Sequence, residues 1–208
     1  MFDFAPKWQG HLNLQGADEI GANNAIVDNL YSSRFSSNRG VFNGSGDLLY
    51  FSKRMTGMAA LGINKTSGFH AQAAPRVGVA LPVANSTIIK ASWGQAYKVP
   101  SLYALENPNV GNPSLLPEKV TGIDVGVQHR FGSRLILSGT YYYNLFSNLI
   151  DFSATAFRLV NRTRVRTEGV ETEASLSVAR GIEARAWGSY PEDGGQLVGH
   201  VVSKRLGA

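Results

Sequence analysis

The stretch Val120–Arg130, VTGIDVGVQHR, carries the pattern that decides the fold. Its side chains alternate with a period of two, so that Ile123, Val125 and Val127 share one face and mostly small or polar residues share the other. The stretch Gly169–Val178, GVETEASLSV, alternates in the same way. This alternation is typical of a β-strand that has one face against lipid or a core and the other against water.

The same period recurs along the chain and predicts about ten strands, each near the length of about 9–11 residues that a tilted transmembrane strand needs. We place these strands at 8–16, 41–51, 55–63, 74–82, 87–96, 119–130, 134–148, 164–178, 182–190 and 197–208. No stretch predicts a helix. The sequence therefore predicts an all-β fold, an antiparallel transmembrane β-barrel that is only partly present.

The connections between these strands alternate in length. Ser52–Arg54, Val83–Ser86, Phe131–Ser133 and Ala179–Gly181 are tight turns. Between them lie long loops at 17–40, 64–73 and 97–118 and shorter ones at 149–163 and 191–196. Short turns at one rim and long loops at the other are typical of an outer-membrane barrel, whereas a soluble β-sandwich does not require long loops at one end.

Composition agrees with a membrane barrel. Charged residues make up 17% of the 208 residues, below the share of about a quarter in soluble domains. The mean hydropathy is −0.11, as expected when one strand face meets lipid and the other a polar lumen. Cysteine is absent, which excludes disulfides and thiolate metal sites. The 20 Lys and Arg are scattered, so we expect no binding to nucleic acid despite the net charge of +5.

Four segments of the chain resemble those of a known family. Gly94–Tyr103 (GQAYKVPSLY) is followed by Gly111–Lys119 (GNPSLLPEK), and Ala74–Val79 (APRVGV) precedes both. Asn161–Glu171 (NRTRVRTEGVE) comes later. In order and spacing these segments are similar to TonB-dependent receptors, the outer-membrane proteins that take up siderophores or vitamin B12. The residues that match the family motifs are Pro100, Ser101, Asn112, Pro113, Pro117, Glu118, Gly169 and Glu171.

The resemblance implies a barrel of about 22 strands that encloses a plug domain. It also implies active transport driven by the TonB complex, which contacts the plug. No plug or TonB box is present here, and Met1–Phe4 lacks the features of a signal peptide. The end at Leu206–Ala208 lacks a terminal aromatic residue. We therefore expect residues 1–208 to be an incomplete piece of a receptor barrel domain.

The loop 97–118 is the candidate ligand site. Tyr97, Tyr103, Glu106 and Asn107 could contact a ligand that enters from outside. The loop also carries four prolines, Pro100, Pro108, Pro113 and Pro117. Because Pro and Asn are turn formers first, we favour an architectural role for the motif residues over ligand contact.

A ladder of three arginines, Arg162, Arg164 and Arg166, precedes the strand at Val170. If the register is unbroken, the ladder shares the lipid face of Val170, and the guanidinium groups suit the phosphates of lipopolysaccharide. A β-bulge at Gly169 would instead turn the ladder toward the lumen or the loop. The sequence leaves both alternatives open.

The leading hypothesis is a bacterial outer-membrane receptor and transporter for a scarce nutrient such as a metal chelate or cobalamin. Its expected partners are outer-membrane lipid and lipopolysaccharide, the ligand, and the TonB complex through the missing plug. We expect no catalytic residue, no metal site and no cofactor. Glu171 and Glu173 alternate with apolar residues in a regular strand and are expected to line the lumen. The alternative is a small, self-contained passive or structural barrel, since bacterial barrels have any even strand number from about eight upward.

Overall fold

A computed structural model describes residues 2–5, 7–23, 35–162, 164–179, 182–192 and 200–204. Eleven strands form one sheet: β1 (Phe2–Ala5), β2 (Trp8–Asn23), β3 (Phe35–Phe51), β4 (Thr56–Thr66), β5 (Gln72–Ala84), β6 (Thr87–Lys98), β7 (Glu118–Phe131), β8 (Leu135–Ser147), β11 (Arg164–Ala179), β12 (Ile182–Pro191) and β13 (His200–Lys204). The other elements are a hairpin of β9 (Ile150–Ser153) and β10 (Arg158–Asn161), and the helix α1 (Leu102–Glu106). Within these ranges, no helix has the length and apolar character to cross a membrane.

The sheet is antiparallel, and its strands follow the order of the chain. One step departs from consecutive pairing: β8 pairs directly with β11, because the β9–β10 hairpin lies outside the sheet. The registers of β2 with β3 and of β7 with β8 run without a break over 16 and 13 residue pairs respectively. Nearly every strand therefore offers its backbone groups to a partner on each side. Among the described residues, β1 and β13 lie at the two edges of the sheet.

The structure confirms the all-β fold and corrects its details. β2 and β3 extend well beyond the predicted ranges 8–16 and 41–51. The extension is polar, with residues such as Asp18, Glu19 and Asn38, so side-chain alternation did not reveal it, whereas the backbone ladder continues. β1, the β9–β10 hairpin and α1 were not predicted, because four or five residues are too few to establish a period. The predicted strand at 197–208 lies partly outside the described residues, which place β13 at His200–Lys204.

The two faces of the sheet differ in chemistry. Ile123 of β7 lies between Trp93 of β6 and Tyr143 of β8, and we call the face that carries them the apolar face. Adjacent residues of a strand point to opposite sides, so Asp124 belongs to the other, polar face. The chain thus has the alternation that a barrel wall needs between lipid and lumen.

The sheet also has two distinct edges along its strand ends. At the turn edge, the connections 52–55, 85–86 and 132–134 are short. At the loop edge, the connections 67–71, 99–117 and 148–163 are longer, and the last contains the β9–β10 hairpin.

Aromatic side chains mark two levels of the apolar face. Trp8 and Tyr50 pair near the turn edge with ring centroids 4.7 Å apart. Phe42 occupies the same face of β3 closer to the loop edge, and Trp93 and Tyr143 occupy comparable positions on β6 and β8. Leucine and valine side chains such as Leu48 and Val125 lie between the two levels. This arrangement has the form of the aromatic girdles that border the apolar band of a membrane barrel.

Gly169 occupies a tightly packed position on the polar face of β11. It lies opposite Tyr142 of β8 on one side and Pro191 of β12 on the other. A Cβ atom added at Gly169 would lie 2.6 Å from the carbonyl oxygen of Tyr190, 2.7 Å from the hydroxyl of Tyr142 and 2.9 Å from the Cα of Pro191. Because two of these three atoms belong to the backbone, rotation of a side chain cannot relieve the overlap. Glycine is therefore required here by close approach, and the tyrosine covers the gap that it leaves.

We predict that Gly169→Ala destabilises the folded barrel by about 1–3 kcal/mol, the usual cost of overpacking. Gly139→Ala is the matched control, because a Cβ at Gly139 on the neighbouring strand would have no heavy atom within 4 Å. The measurement is the temperature at which the folded, heat-resistant gel band of the complete protein disappears. An equal shift for the two variants would contradict the packing argument.

Candidate functional site

The connection 99–117 is ordered by its own side chains. The hydroxyl of Ser101 accepts a hydrogen bond from the backbone N–H of Ala104 at 3.1 Å and caps α1 at its start. After the helix, the side-chain oxygen of Asn107 accepts hydrogen bonds from the backbone N–H groups of Asn109 and Val110, at 2.9 and 3.0 Å. Asn107 is only 4% exposed. This side chain therefore serves the turn rather than a ligand.

The helix α1 lies across the polar face of β2 and β3, three strands away from the end of β6. Leu102 fills the space above Gly21, where an added Cβ would lie 2.9 Å from the Cβ of Leu102. The ring of Tyr103 meets that of Phe35 edge-on, with centroids 6.1 Å apart. The connection thus folds inward over the polar face instead of extending away from the strands.

A buried arginine fixes the start of this connection. Arg39 of β3 donates a hydrogen bond to the carbonyl oxygen of Pro100 at 2.8 Å and pairs with the carboxylate of Glu19 at 2.7 Å. Only 8% of the Arg39 side chain is exposed. A guanidinium group has donors enough to satisfy both partners in one plane. Arg39 therefore ties the connection 99–117 to β2 and β3 together.

Three connections of the loop edge meet in one small apolar cluster. Ala104, Leu105 and Leu115 of the connection 99–117 are buried, and Leu115 is 2% exposed. The side chains that pack against them come from the other two connections: Phe69, Ile150 and Leu159. Among the described residues, the buried apolar side chains all belong to the connection 99–117. The dry core is therefore at the loop edge, and the sheet itself has none.

Polar side chains join the same connections. Asn161 accepts a hydrogen bond from the N–H of Leu116 at 2.8 Å and donates to the carbonyl oxygens of Leu116 and Asn148, at 3.0 and 2.7 Å. Asn112 donates to the carbonyl oxygen of Leu159 at 2.9 Å. These two side chains tie the connection 99–117 to the β9–β10 hairpin.

Glu118 makes a further link at the start of β7. It accepts a hydrogen bond from the N–H of Ile150 at 2.9 Å and pairs with Lys98 at 3.2 Å. The motif residues Pro100, Ser101, Asn112 and Glu118 thus all hold the loops in place, and Pro100 is fully buried. In this structure these motif residues therefore make their contacts within the protein.

A cleft of about 670 Å³ remains between the inward-folded connection and the polar face. We call it the mouth cleft. Its walls include Arg39 of β3, Phe69 and His70 of the connection 67–71, and Glu106 and Leu115 of the connection 99–117. Hydroxyl and amide residues complete the lining: Ser37, Ser67, Gln72 and Ser114. The cleft combines an apolar floor with exposed polar groups, as small-molecule sites do.

The four candidate ligand residues are not brought together. Glu106 lines the mouth cleft, and Tyr103 is 47% exposed beside it on α1. Tyr97 lies opposite Lys119 on the apolar face, with the Lys119 ammonium 5.5 Å from its ring centroid. Asn107 is buried in the loop turn. The geometry therefore leaves Tyr103 and Glu106 as ligand candidates and places Tyr97 on the wrong side of the sheet for a ligand in the cleft.

The register of β11 settles the direction of the arginine ladder. β11 pairs with β8 without interruption from Arg164 to Leu176, so the alternative of a bulge at Gly169 is wrong. Arg164 and Arg166 share the apolar face with Val170. Arg162 precedes β11 and pairs with Asp151 of the hairpin at 2.5 Å.

Carboxylates partly neutralise the ladder. Arg166 pairs with Glu168 and with Glu192, both at 3.0 Å. Glu192 lies just beyond β12 at the loop edge, and the hydrogen bond and charge of Glu168 raise the pKa of Glu192 above its ordinary value. The described residues include no such carboxylate partner for Arg164, which is exposed.

Sequence reasoning missed two residues that matter here. Asn161 was visible as the first residue of the Asn161–Glu171 motif, but its spacing from Leu116 gave no sign that they touch. Arg39 lies in a stretch that was predicted to be loop, so nothing marked it as a strand residue with a buried side chain. Both act through contacts between residues 45 and 61 positions apart.

Comparison with known proteins finds similarity to TonB-dependent receptors in both sequence and fold. A family model described as TonB dependent receptor-like, beta-barrel matches residues 4–202. The chain is 37% identical to the vitamin B12 transporter BtuB of Vibrio cholerae over 67 residues, which are 32% of this chain and 11% of that protein.

Solved structures are similar over more of the chain. The siderophore receptor PirA from Pseudomonas aeruginosa has a TM-score of 0.76 at 18% identity, over 90% of this chain and 37% of that one. The FrpB iron transporter from Neisseria meningitidis has a TM-score of 0.67 at 14% identity, over 95% and 38%. At these identities the likeness concerns the fold, and the chain spans little more than a third of either structure.

We predict that Asn161→Ala exposes the backbone of the connection 99–117, because three hydrogen bonds are lost, each with a net contribution of about 0.5–1.5 kcal/mol. Asn161→Asp is the discriminating variant, since it keeps the acceptor for the N–H of Leu116 and loses both donors. Hydrogen exchange of the complete protein should show the Leu116 amide exchanging faster in Asn161→Ala than in Asn161→Asp. Equal protection of the Leu116 amide in wild type and both variants would show that Asn161 does not hold the connection 99–117 in place.

Proposed function

This chain belongs to the TonB-dependent receptor-like β-barrel family, whose members are bacterial outer-membrane proteins, and from this we propose that it forms part of the wall and mouth of a nutrient receptor. In this proposal residues 1–208 are one portion of a larger barrel domain. Sequence outside them supplies the remaining wall and a plug domain. The receptor takes up a scarce nutrient by active transport, and the TonB complex acts through the plug.

The observation that carries this proposal is the mouth cleft at the loop edge. Three connections converge over the polar face and are held by an apolar cluster and by Asn112, Asn161 and Arg39. A loop platform of this kind is built to present side chains at the entrance of a lumen. The proposed role is binding and passage, with no chemical change to the ligand.

The proposed ligand is a small molecule such as a metal chelate or cobalamin. Two of the similar proteins are a siderophore receptor and a vitamin B12 transporter. The size of the mouth cleft, about 670 Å³, falls in the usual range of small-molecule sites, about 300–1,000 Å³. Tyr103 and Glu106 are the ligand contacts that we propose within this chain.

The alternative of a small, self-contained barrel needs its first and last strands to pair. In the part of the chain that the structure describes, β1 and β13 lie at opposite edges of the sheet and do not pair with each other. No observation favours this alternative over the receptor.

A second proposal concerns the apolar face near the loop edge. Arg164 and Arg166 point to the side that meets lipid, just where the outer leaflet of an outer membrane presents phosphates. Because Arg162 and Arg166 are already paired with carboxylates, Arg164 is the residue that we propose to contact lipopolysaccharide phosphate.

Transport is tested in cells that carry the complete receptor gene. We expect accumulation of radiolabelled ferric chelate or cobalamin in cells with TonB, and only surface-bound label in cells without it. Accumulation that does not depend on TonB would contradict active transport. Failure of every ligand to bind the receptor-bearing cells would contradict the receptor itself.

We predict that Tyr103→Ala in the complete receptor weakens ligand binding by about tenfold, since tyrosine is enriched among the residues whose truncation costs most once a partner covers them. Tyr97→Ala is the matched control, because Tyr97 lies on the apolar face. Affinity is measured by titration of the purified receptor with the ligand that the cells accumulate. Unchanged affinity for Tyr103→Ala would remove this residue from the site.

We predict that Arg164→Glu reduces the lipopolysaccharide that co-purifies with the receptor, because a negative charge replaces a phosphate partner. Lys53→Glu makes the same change in charge in a turn at the opposite edge of the sheet, away from the outer leaflet. Bound phosphate per receptor is the measurement. A loss that is the same for both variants would show a general effect of charge and no site at Arg164.

A further inference from the structure

Three cations close to the connection 99–117 are paired within the protein. Arg39 is held by Glu19, Lys98 by Glu118, and Arg162 by Asp151, at N–O distances of 2.7, 3.2 and 2.5 Å. A paired cation attracts a distant anion weakly, because the carboxylate beside it cancels most of its field. These three positive side chains therefore do not make an anion-binding surface.

Glu106 stands apart from these pairs. It is exposed at the last position of α1, and no described cation lies within salt-bridge distance of its carboxylate. Among the described residues, the ionisable side chains that line the mouth cleft are Arg39, His70 and Glu106. Because Arg39 is already paired with Glu19, the Glu106 carboxylate is a negative charge that no described lining residue pairs with.

The charged side chains of the polar face below the cleft do not add a net positive charge. Its cations between the loop edge and the turn edge are Arg76, Lys90, Arg130 and Arg185. Its carboxylates over the same span are Asp47, Asp124, Glu171, Glu173 and Glu183. Cations therefore do not outnumber carboxylates along the described wall, and a polyanion would find no positively charged path.

We propose that the mouth cleft selects a neutral or cationic metal chelate and discriminates against polyanionic chelates. The proposal rests on the receptor function proposed above and names the class of ligand. An uncharged chelate loses nothing to the Glu106 carboxylate, and its polar rim can bond with the amide and hydroxyl groups of the lining. A triply negative chelate meets repulsion from Glu106, which no free cation among the described lining residues offsets.

The test is binding to the complete purified receptor by calorimetric titration, with three probes. Two are a neutral ferric trishydroxamate and cyanocobalamin, and the third is a triply negative ferric tris-catecholate. We expect one of the uncharged probes to bind at least about tenfold more tightly than the tris-catecholate, the scale of repulsion between close charges in a partly screened site.

Glu106→Lys tests the assigned residue. It should shift the ratio between the affinity for the tighter-binding uncharged probe and the affinity for the tris-catecholate by about tenfold in favour of the tris-catecholate. Glu106→Gln should shift this ratio less. Asp18→Lys is the control, because it makes the same change of charge at the same edge of the sheet but on the apolar face. The ratio for Asp18→Lys should stay at the wild-type value.

Two results would overturn the proposal and leave the receptor function standing: tighter binding of the tris-catecholate than of both uncharged probes, or a ratio that Glu106→Lys does not move. Absence of binding by all three probes, together with absence of uptake in cells, would instead overturn the receptor function itself.

Discussion

The structure depends first on one constraint: backbone N–H and C=O groups that face lipid must find partners within the protein. The long, unbroken ladders of β2 with β3 and of β7 with β8 meet this requirement. Once the backbone is paired, each side chain has only two directions, toward lipid or toward the lumen. The alternation in Val120–Arg130 is therefore a consequence of the membrane as a solvent, and the wall needs no dry core of its own.

The loop edge obeys a different rule, because there the chain leaves the ladder and enters water. Backbone groups of the connections 99–117 and 148–163 are satisfied by side chains, above all by Asn107, Asn112 and Asn161. The apolar cluster around Leu105 and Leu115 supplies the burial that the sheet does not provide. The mouth cleft is the space between these connections and the sheet, so its shape also depends on Asn107, Asn112 and Asn161, which do not line it.

Side-chain period was enough to predict the fold class and the central part of most strands, since alternation is local information. It could not show that β2 and β3 continue above the apolar band, because residues such as Asp18 and Asn38 have no apolar partner at the next position. An architectural role for Pro100 and Asn112 could be expected from residue type, because Pro and Asn are turn formers. The inward fold of α1 could not be predicted, because it depends on residues that are distant in sequence. Arg39 is more than 60 residues from the helix, and Gly21 is about 80 residues from it.

The contact between Arg39 and Pro100 also bears on how the barrel is assembled. It joins positions 61 residues apart, and the strands β4, β5 and β6 lie between them in the sheet. Contacts of such long sequence separation form late, because the intervening chain must first be ordered. The connection 99–117 therefore cannot fold over the mouth cleft until at least five neighbouring strands have inserted. The folded position of this connection would indicate that these strands are all in place, whichever end of the chain enters the membrane first.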